Sequence, residues 1–186
     1  MSTTTEVLAS AEERMKKAIA NLLKEFQSVR TGRANPALLD RVEVEYYGTP
    51  TPLKTLANIS TPDGRSLVIQ PYDKACLKDI EQGIHKSGLG LTASNDGTLV
   101  RINIPTLTED RRKEFVKLLK KFGEESRIAV RNIRRDCADD LKKLKTTQVS
   151  EDEIKREEEH LQKVTDRYIK EIDKLSSDKE AEVMEV

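Results

Sequence analysis

Residues 109–145 read EDRRKEFVKLLKKFGEESRIAVRNIRRDCADDLKKLK. Phe115, Leu119, Phe122, Ala129, Val130, Ile133, Cys137, Leu141 and Leu144 project onto one arc of about 120° at 100° per residue, which predicts one long amphipathic helix. Thr108 stands where an N-cap is needed, and Glu109 and Asp110 place negative charge at the positive end of the helix dipole. At 1.5 Å per residue the segment would be about 55 Å long. Gly123 costs about 1 kcal/mol relative to Ala, yet the apolar phase is unchanged across it, so the reading is one helix with a bend allowed there. Offset from the apolar arc, Arg112, Lys113, Lys117, Lys120, Arg127, Arg131, Arg134, Arg135, Lys142 and Lys145 cover roughly half the circumference.

So narrow an apolar stripe does not hold a helix alone in water, so the segment needs partners. Upstream, Leu8, Ala11, Met15, Ala18, Leu22, Phe26 and Val29 repeat in threes and fours, predicting a helix from about Thr4 to Val29. Thr3 and Glu6 fit a capping box at its start, and Gly32 offers a stop. Downstream, Thr146, Thr147 and Gln148 make a short polar connection. Ser150 and Glu153 then open a third helix carrying Ile154, Leu161, Val164, Tyr168, Ile172 and Leu175 on one side. A three-helix bundle is the closure these stripes require.

Between the first two helices the pattern changes. Val42, Val44 and Tyr46 alternate with Glu43 and Glu45, and Val100, Ile102 and Ile104 with Arg101 and Asn103, as half-buried strands do. Pro50, Pro52, Pro62-Asp63-Gly64 and Asn95-Asp96-Gly97 are turn signals. Leu67–Gln70 reads as a further strand, and Asp73–Lys86, closed by Gly88, as a helix. The expected class is therefore α+β: residues 1–31 and 105–186 form a long three-helix bundle, and residues 32–104 a small inserted α+β domain. Two chain crossings would join them, at Thr31 and Gly32 and at Ile104, Pro105 and Thr106, a natural place for a hinge.

The 186 residues carry 33 Lys and Arg against 33 Asp and Glu, with aromatics at only 4%. No apolar run exceeds three residues, against the roughly 20 that span a bilayer, so no transmembrane segment is expected. The start of the chain lacks a secretory pattern and carries Glu6, Glu12 and Glu13, so the cytoplasm, or a processed organellar form, is the expected setting. Cys76 and Cys137 read as packed thiols rather than a disulfide or zinc framework. His85 and His160 lie in different predicted domains with no metal spacing around them and read as exposed side chains. Gly88-Leu89-Gly90 and Tyr47-Gly48-Thr49-Pro50 lack the Gly-Lys-Ser/Thr continuation of a phosphate-cradling loop. No catalytic constellation, cofactor site or metal site is visible.

The neutral total hides an asymmetry. The segments 1–33, 34–103, 104–147 and 148–186 carry +2, −1, +5 and −6. The basic stretch coincides with the long central helix, where Arg127, Arg131, Arg134 and Arg135 line one face at i, i+4, i+7 and i+8. Guanidinium groups fork onto phosphate oxygens, so this face suits a polyanion. Glu124 and Asp139 lie close enough along the helix to neutralise part of it. Aromatic stacking groups are absent from the stripe, which favours backbone and shape recognition of folded RNA over base reading.

The chain also resembles a family along its whole length. Val29-Arg30-Thr31-Gly32-Arg33-Ala34-Asn35-Pro36 with Leu38-Leu39-Asp40, and then Val44-Glu45-Tyr46-Tyr47-Gly48-Thr49-Pro50-Thr51-Pro52-Leu53, are similar to bacterial-type ribosome recycling factors. So are Leu107-Thr108-Glu109-Asp110-Arg111-Arg112-Lys113, Ser126-Arg127-Ile128-Ala129-Val130-Arg131-Asn132-Ile133-Arg134-Arg135-Asp136 and Lys179-Glu180-Ala181-Glu182. Cys76 and Cys137 match no family motif.

The resemblance implies an L-shaped molecule of tRNA-like outline, with a helical bundle and a hinged second domain. It implies a monomeric, non-enzymatic factor of protein biosynthesis that acts after translation termination on the 70S ribosome, with its bundle against large-subunit rRNA. With elongation factor G and GTP such a factor splits the ribosome, releasing mRNA and deacylated tRNA, and initiation factor 3 acts downstream. The rRNA-facing arginines of the family carry over to Arg30, Arg33, Arg112, Arg131, Arg134 and Arg135, and the stripe adds Arg127. Two other classes stay open on the residues alone. A non-catalytic helical RNA-binding or scaffold protein would show stripes and a hinge, and a small hydrolase or transferase would need a polar pocket in the inserted domain.

Overall fold

The computed structural model describes residues 3–145 and 149–185. Its helices are α1 (Thr4–Ser28), α2 (Leu53–Leu56), α3 (Leu77–Lys86), α4 (Glu109–Leu144) and α5 (Glu151–Met184). Its strands are β1 (Glu43–Tyr46), β2 (Thr49–Pro52), β3 (Ala57–Ser60), β4 (Ser66–Pro71), β5 (Ala93–Asn95) and β6 (Val100–Asn103). They gather into two compact units, one of the described residues through Arg30 together with Thr108–Glu185, the other of Thr31–Leu107.

In the first unit α1, α4 and α5 form the bundle. The Thr3 hydroxyl accepts from the Glu6 N–H at 3.2 Å and the Glu6 carboxylate accepts from the Thr3 N–H at 3.0 Å, completing the capping box. The far end falls where the apolar repeat stops, as expected, three residues before Gly32: Val29 turns to extended backbone and donates to the Phe26 carbonyl at 3.2 Å. The Val29 side chain is buried in the bundle core, so packing ends the helix before the glycine is reached. α4 is N-capped by Thr108, whose hydroxyl accepts from the Arg111 N–H at 3.3 Å. α5 is capped by Ser150, which accepts from the Glu153 N–H at 3.2 Å. An ion pair between Lys145 and Glu151 links the two ends, while the expected connection at 146–148 lies outside the described residues.

α4 runs unbroken through Gly123. A Cβ there would lie 2.8 Å from the Ser176 hydroxyl oxygen, so the glycine lets α4 and α5 approach closely. Met15 and Leu22 of α1, Leu119, Val130 and Leu141 of α4, and Leu161 and Ile172 of α5 form the centre of the core, each at most 2% exposed.

Polar clasps flank this core. Arg14 of α1 meets Asp136 of α4 at 2.9 Å, which with the Cys137 thiol on the Val7 carbonyl makes α1 and α4 antiparallel. Glu12 of α1 accepts from Arg167 at 2.5 Å and from the Tyr168 hydroxyl at 3.2 Å, both on α5. Burial pushes the Glu12 carboxyl up, but these hydrogen bonds and the guanidinium charge outweigh it and hold the group below its usual range. A lowered folded-state value means the clasp stabilises fully above the unfolded carboxyl range and loses its contribution as pH falls through the folded value. Glu12→Gln is therefore expected to lower the melting temperature at pH 7 and to flatten its acid-side fall. An acid profile parallel to that of the wild type would show that the clasp carries no proton-linked stability.

In the second unit four strands form an antiparallel sheet in the order β3-β4-β6-β5, with β1 and β2 as a separate hairpin. β4 pairs β6 with Leu67 opposite Ile102 and Ile69 opposite Val100, and all four side chains are fully buried. Leu39, Val44, Leu53, Ile80 and Ile84 complete that core. The expected strands at 42–46, 67–70 and 100–104 correspond to β1, β4 and β6. The helix expected from Asp73 begins as a single tight turn, Lys74–Cys76, capped by the Asp73 carboxylate, and becomes α-helical at Leu77.

Pro50 and Pro52 depart from their reading as turn residues: both sit in β2, opposite Glu45 and Glu43. Proline is tolerated there because β2 has a partner on one side only, so no second neighbour requires its missing N–H. The turn itself is Tyr47-Gly48, with positive φ at both residues.

Candidate nucleic-acid interface

The face of α4 that carries the arginines is built by the helical repeat and supported by α5. Its apolar side is held in the core through Leu119, Val130, Ile133 and Leu141, which fixes the rotation of the helix and turns the basic residues outward. The guanidiniums along it are in three different states.

Arg127 is braced. Its side chain is only 22% exposed, its Nε donates to Asp173 Oδ1 of α5 at 2.7 Å and its Nη1 to Glu124 at 3.3 Å. Arg131, a turn further on and 47% exposed, reaches the other oxygen of the same Glu124 at 3.5 Å. Arg134 and Arg135 make no hydrogen bond or ion pair with any described residue; Arg134 is half-buried and Arg135 exposed. Arg112 lies near the start of the helix, half-buried, with its Nε buried and without a partner among the described residues. Fifteen residues separate it from Arg127, about 22 Å at 1.5 Å per residue.

Lys117 and Lys120, on the same face, likewise pair with no described residue, whereas Lys113 is held by Glu109 at 3.0 Å. Arg30 is exposed just beyond α1, at the bundle end where α4 begins. Arg33 is exposed within the second unit, and its N–H donates to the Thr31 hydroxyl at 3.3 Å. The structure thus brings five of the seven arginines onto one helix and a sixth to the end of the same unit.

Of the two acids read as neutralisers, Glu124 bridges Arg127 and Arg131, while Asp139 pairs with no described residue. Asp173 is the participant sequence reasoning missed. It lies 46 residues from Arg127 on another helix, and only the packing of α4 on α5 joins them.

The crossing segments are short. Ala34 is tied into the second unit by its N–H on the Gly64 carbonyl at 2.7 Å, and Ile104 by its N–H on the Arg65 carbonyl at 3.0 Å. Ile104 also packs against that unit's core, which leaves Pro105–Leu107 as the connection to α4.

Among the described residues there is no cluster of three or more metal-ligating side chains, and no helix is long and apolar enough to cross a membrane. Both cysteines are buried, and burial pushes the Cys137 thiol up to about 11, far from a reactive thiolate. His85 and His160 are exposed.

Known proteins carry the same plan. The family model described as Ribosome recycling factor matches residues 22–184. A ribosome-recycling factor of Bacillus licheniformis is 55% identical over 183 residues, covering 98% of this chain and 99% of its own. One of Halalkalibacterium halodurans is 57% identical over 182 residues, covering 97% and 98%. Among solved structures, a solution structure of the ribosome recycling factor superposes with a TM-score of 0.78 at 42% identity, covering 100% of both chains. A T. thermophilus ribosome recycling factor, described with E. coli elongation factor G bound to the E. coli post-termination complex, gives 0.66 at 46% identity over 99% of this chain and 100% of its own. With the family model matching residues 22–184 and relatives more than 50% identical covering nearly the whole chain, the chain belongs to the ribosome recycling factor family.

Proposed function

We propose that this protein splits post-termination ribosomes together with elongation factor G and GTP, so that mRNA and deacylated tRNA leave and the subunits are reused. Initiation factor 3 acts downstream to keep them apart. The observation that supports the RNA-facing role is the pair Arg134 and Arg135, which have no partner among the described residues, beside Arg127 and Arg131, which are held by Glu124 and Asp173. Unpaired guanidiniums on a rigid helix are pre-organised for phosphate oxygens.

In this reading the bundle, with Arg30, Arg112, Arg131, Arg134 and Arg135, binds large-subunit rRNA. Arg33 adds a contact from the second unit, and Arg127 supports the face from below. The protein acts as a monomer in the cytoplasm and hydrolyses nothing itself; the GTPase supplies the free energy. Thr31 and Gly32, with Pro105 and Thr106, form the hinge through which that work reaches the inserted domain, while Ile104 moves with the sheet.

Phosphate recognition predicts a steep salt dependence. With about four phosphates engaged, log K for the 70S ribosome is expected to fall with log salt at a slope of roughly −3. Sedimentation or filter binding at several salt concentrations measures it. A slope near zero would point to the scaffold reading instead.

A further inference from the structure

We propose that Glu124 is a built-in competitor for the RNA backbone: it occupies Arg131 in the free protein and gives it up when phosphate arrives, and so limits how tightly the factor holds the ribosome. The inference rests on the proposed rRNA-binding role of the α4 face and adds a residue that opposes it.

The geometry separates the two arginines that share this carboxylate. Arg127 has a second acidic partner on another helix, Asp173 at 2.7 Å, and its side chain is mostly covered, so withdrawing it would break an α4–α5 brace. Arg131 has one ion-pair partner among the described residues, the Glu124 Oε1 oxygen at 3.5 Å, at the outer limit for a hydrogen bond, and about half of its side chain is exposed. Both Glu124 and Arg131 stand in water, where an ion pair is weak and easily exchanged. A phosphate that Arg134 and Arg135 have already captured would meet Arg131 one helical turn away, and its two anionic oxygens accept the guanidinium fork more fully than the single 3.5 Å contact to Glu124 does. The Glu124 carboxylate would then remain beside the phosphate as a like charge, weakening the bound state twice: once through the pair that must be broken and once through repulsion. A factor that must leave after each round gains from a contact that is satisfied in both the free and the bound state.

Asp173 has a different role. It keeps Arg127 out of the exchange and makes the face rigid.

The test is a double-mutant cycle of Glu124→Gln and Arg131→Ala, read as the dissociation constant for 70S ribosomes at several salt concentrations, with Arg134→Ala as reference. Glu124→Gln is expected to tighten binding about three- to five-fold, the range of an exposed ion pair, and to steepen the salt slope by somewhat under one unit. In the Arg131→Ala background the same change is expected to gain less than two-fold. Multiple-turnover splitting should slow as binding tightens, and thermal melting should stay within a few degrees of the wild type.

If Glu124→Gln leaves affinity unchanged or weaker while Arg134→Ala still weakens binding strongly, the competitor role is overturned and the RNA face stands. An equal gain with and without Arg131 overturns the exchange of Arg131. If Arg134→Ala too binds normally, the face itself has been misassigned. Asp173→Asn separates brace from competitor: it is expected to lower the melting temperature without tightening binding, and tightening equal to that of Glu124→Gln would contradict the distinction.

Discussion

Arg134→Ala is expected to weaken ribosome binding by about 100-fold, since a charge-assisted, fork-shaped contact to phosphate contributes about 2–3 kcal/mol and each 1.4 kcal/mol is tenfold. Its helicity and melting temperature should change little, because the guanidinium pairs with no described residue whose loss would be felt in folding. Arg134→Lys should recover only part of the binding, a point charge replacing a fork. The contrast with Arg127→Ala sharpens the expectation. Removing Arg127 strands Asp173 and half of the partnership of Glu124, so that change is expected to cost stability as well as binding. Equilibrium binding and thermal denaturation on the same preparations distinguish the two. Normal binding by a folded Arg134→Ala protein would remove the residue from the interface.

The second large effect is expected far from the RNA face. Gly83 of α3 passes the hairpin so closely that a Cβ would lie 2.9 Å from the Glu43 carbonyl oxygen and 3.2 Å from Val44 Cγ2. The nearer atom is backbone and cannot rotate aside, and Val44 is itself fully buried. Gly83→Ala must therefore push α3 off β1. Overpacking of this kind costs about 1–3 kcal/mol, more than the ~1 kcal/mol that alanine returns in helix propensity. Amide exchange in α3 and β1 should accelerate roughly tenfold while the amides of α4 keep their protection, because the two units have separate cores. Unchanged exchange in α3 would mean that the hairpin yields freely.

The bundle was legible because a long helix repeats its signal: seven apolar residues from Leu8 to Val29 agree on one face, and caps at Thr3, Thr108 and Ser150 mark the starts. The inserted unit was legible only where strands alternate strictly. β2 (Thr-Pro-Thr-Pro) and β5 (Ala-Ser-Asn) carry too few apolar residues for a period to show, β3 offers only Ala57 and Ile59, and Pro50 and Pro52 carry a turn signal that an edge strand overrides. Gly123 shows the limit in another form. From the sequence it is a weak point with a bend allowed; in the fold it is the place where Ser176 of α5 comes closest.

The site divides along the same line. The arginine stripe and the reach of Glu124 to Arg127 and Arg131 follow from helical spacing, whereas Asp173 enters only through tertiary packing. Ile104 was grouped with the hinge by its place after a strand, but its hydrogen bond to Arg65 and its apolar contacts hold it in the sheet unit. Local periodicity fixes which side chains share a face, and long-range contacts decide which of them are free to act.

Light scattering of post-termination ribosomes mixed with this protein, elongation factor G, GTP and initiation factor 3 tests the recycling role most directly. A fall in scattering is expected that requires the wild-type protein and GTP and is lost with Arg134→Ala. Unchanged scattering, in a mixture that a cognate factor pair does split, would contradict it.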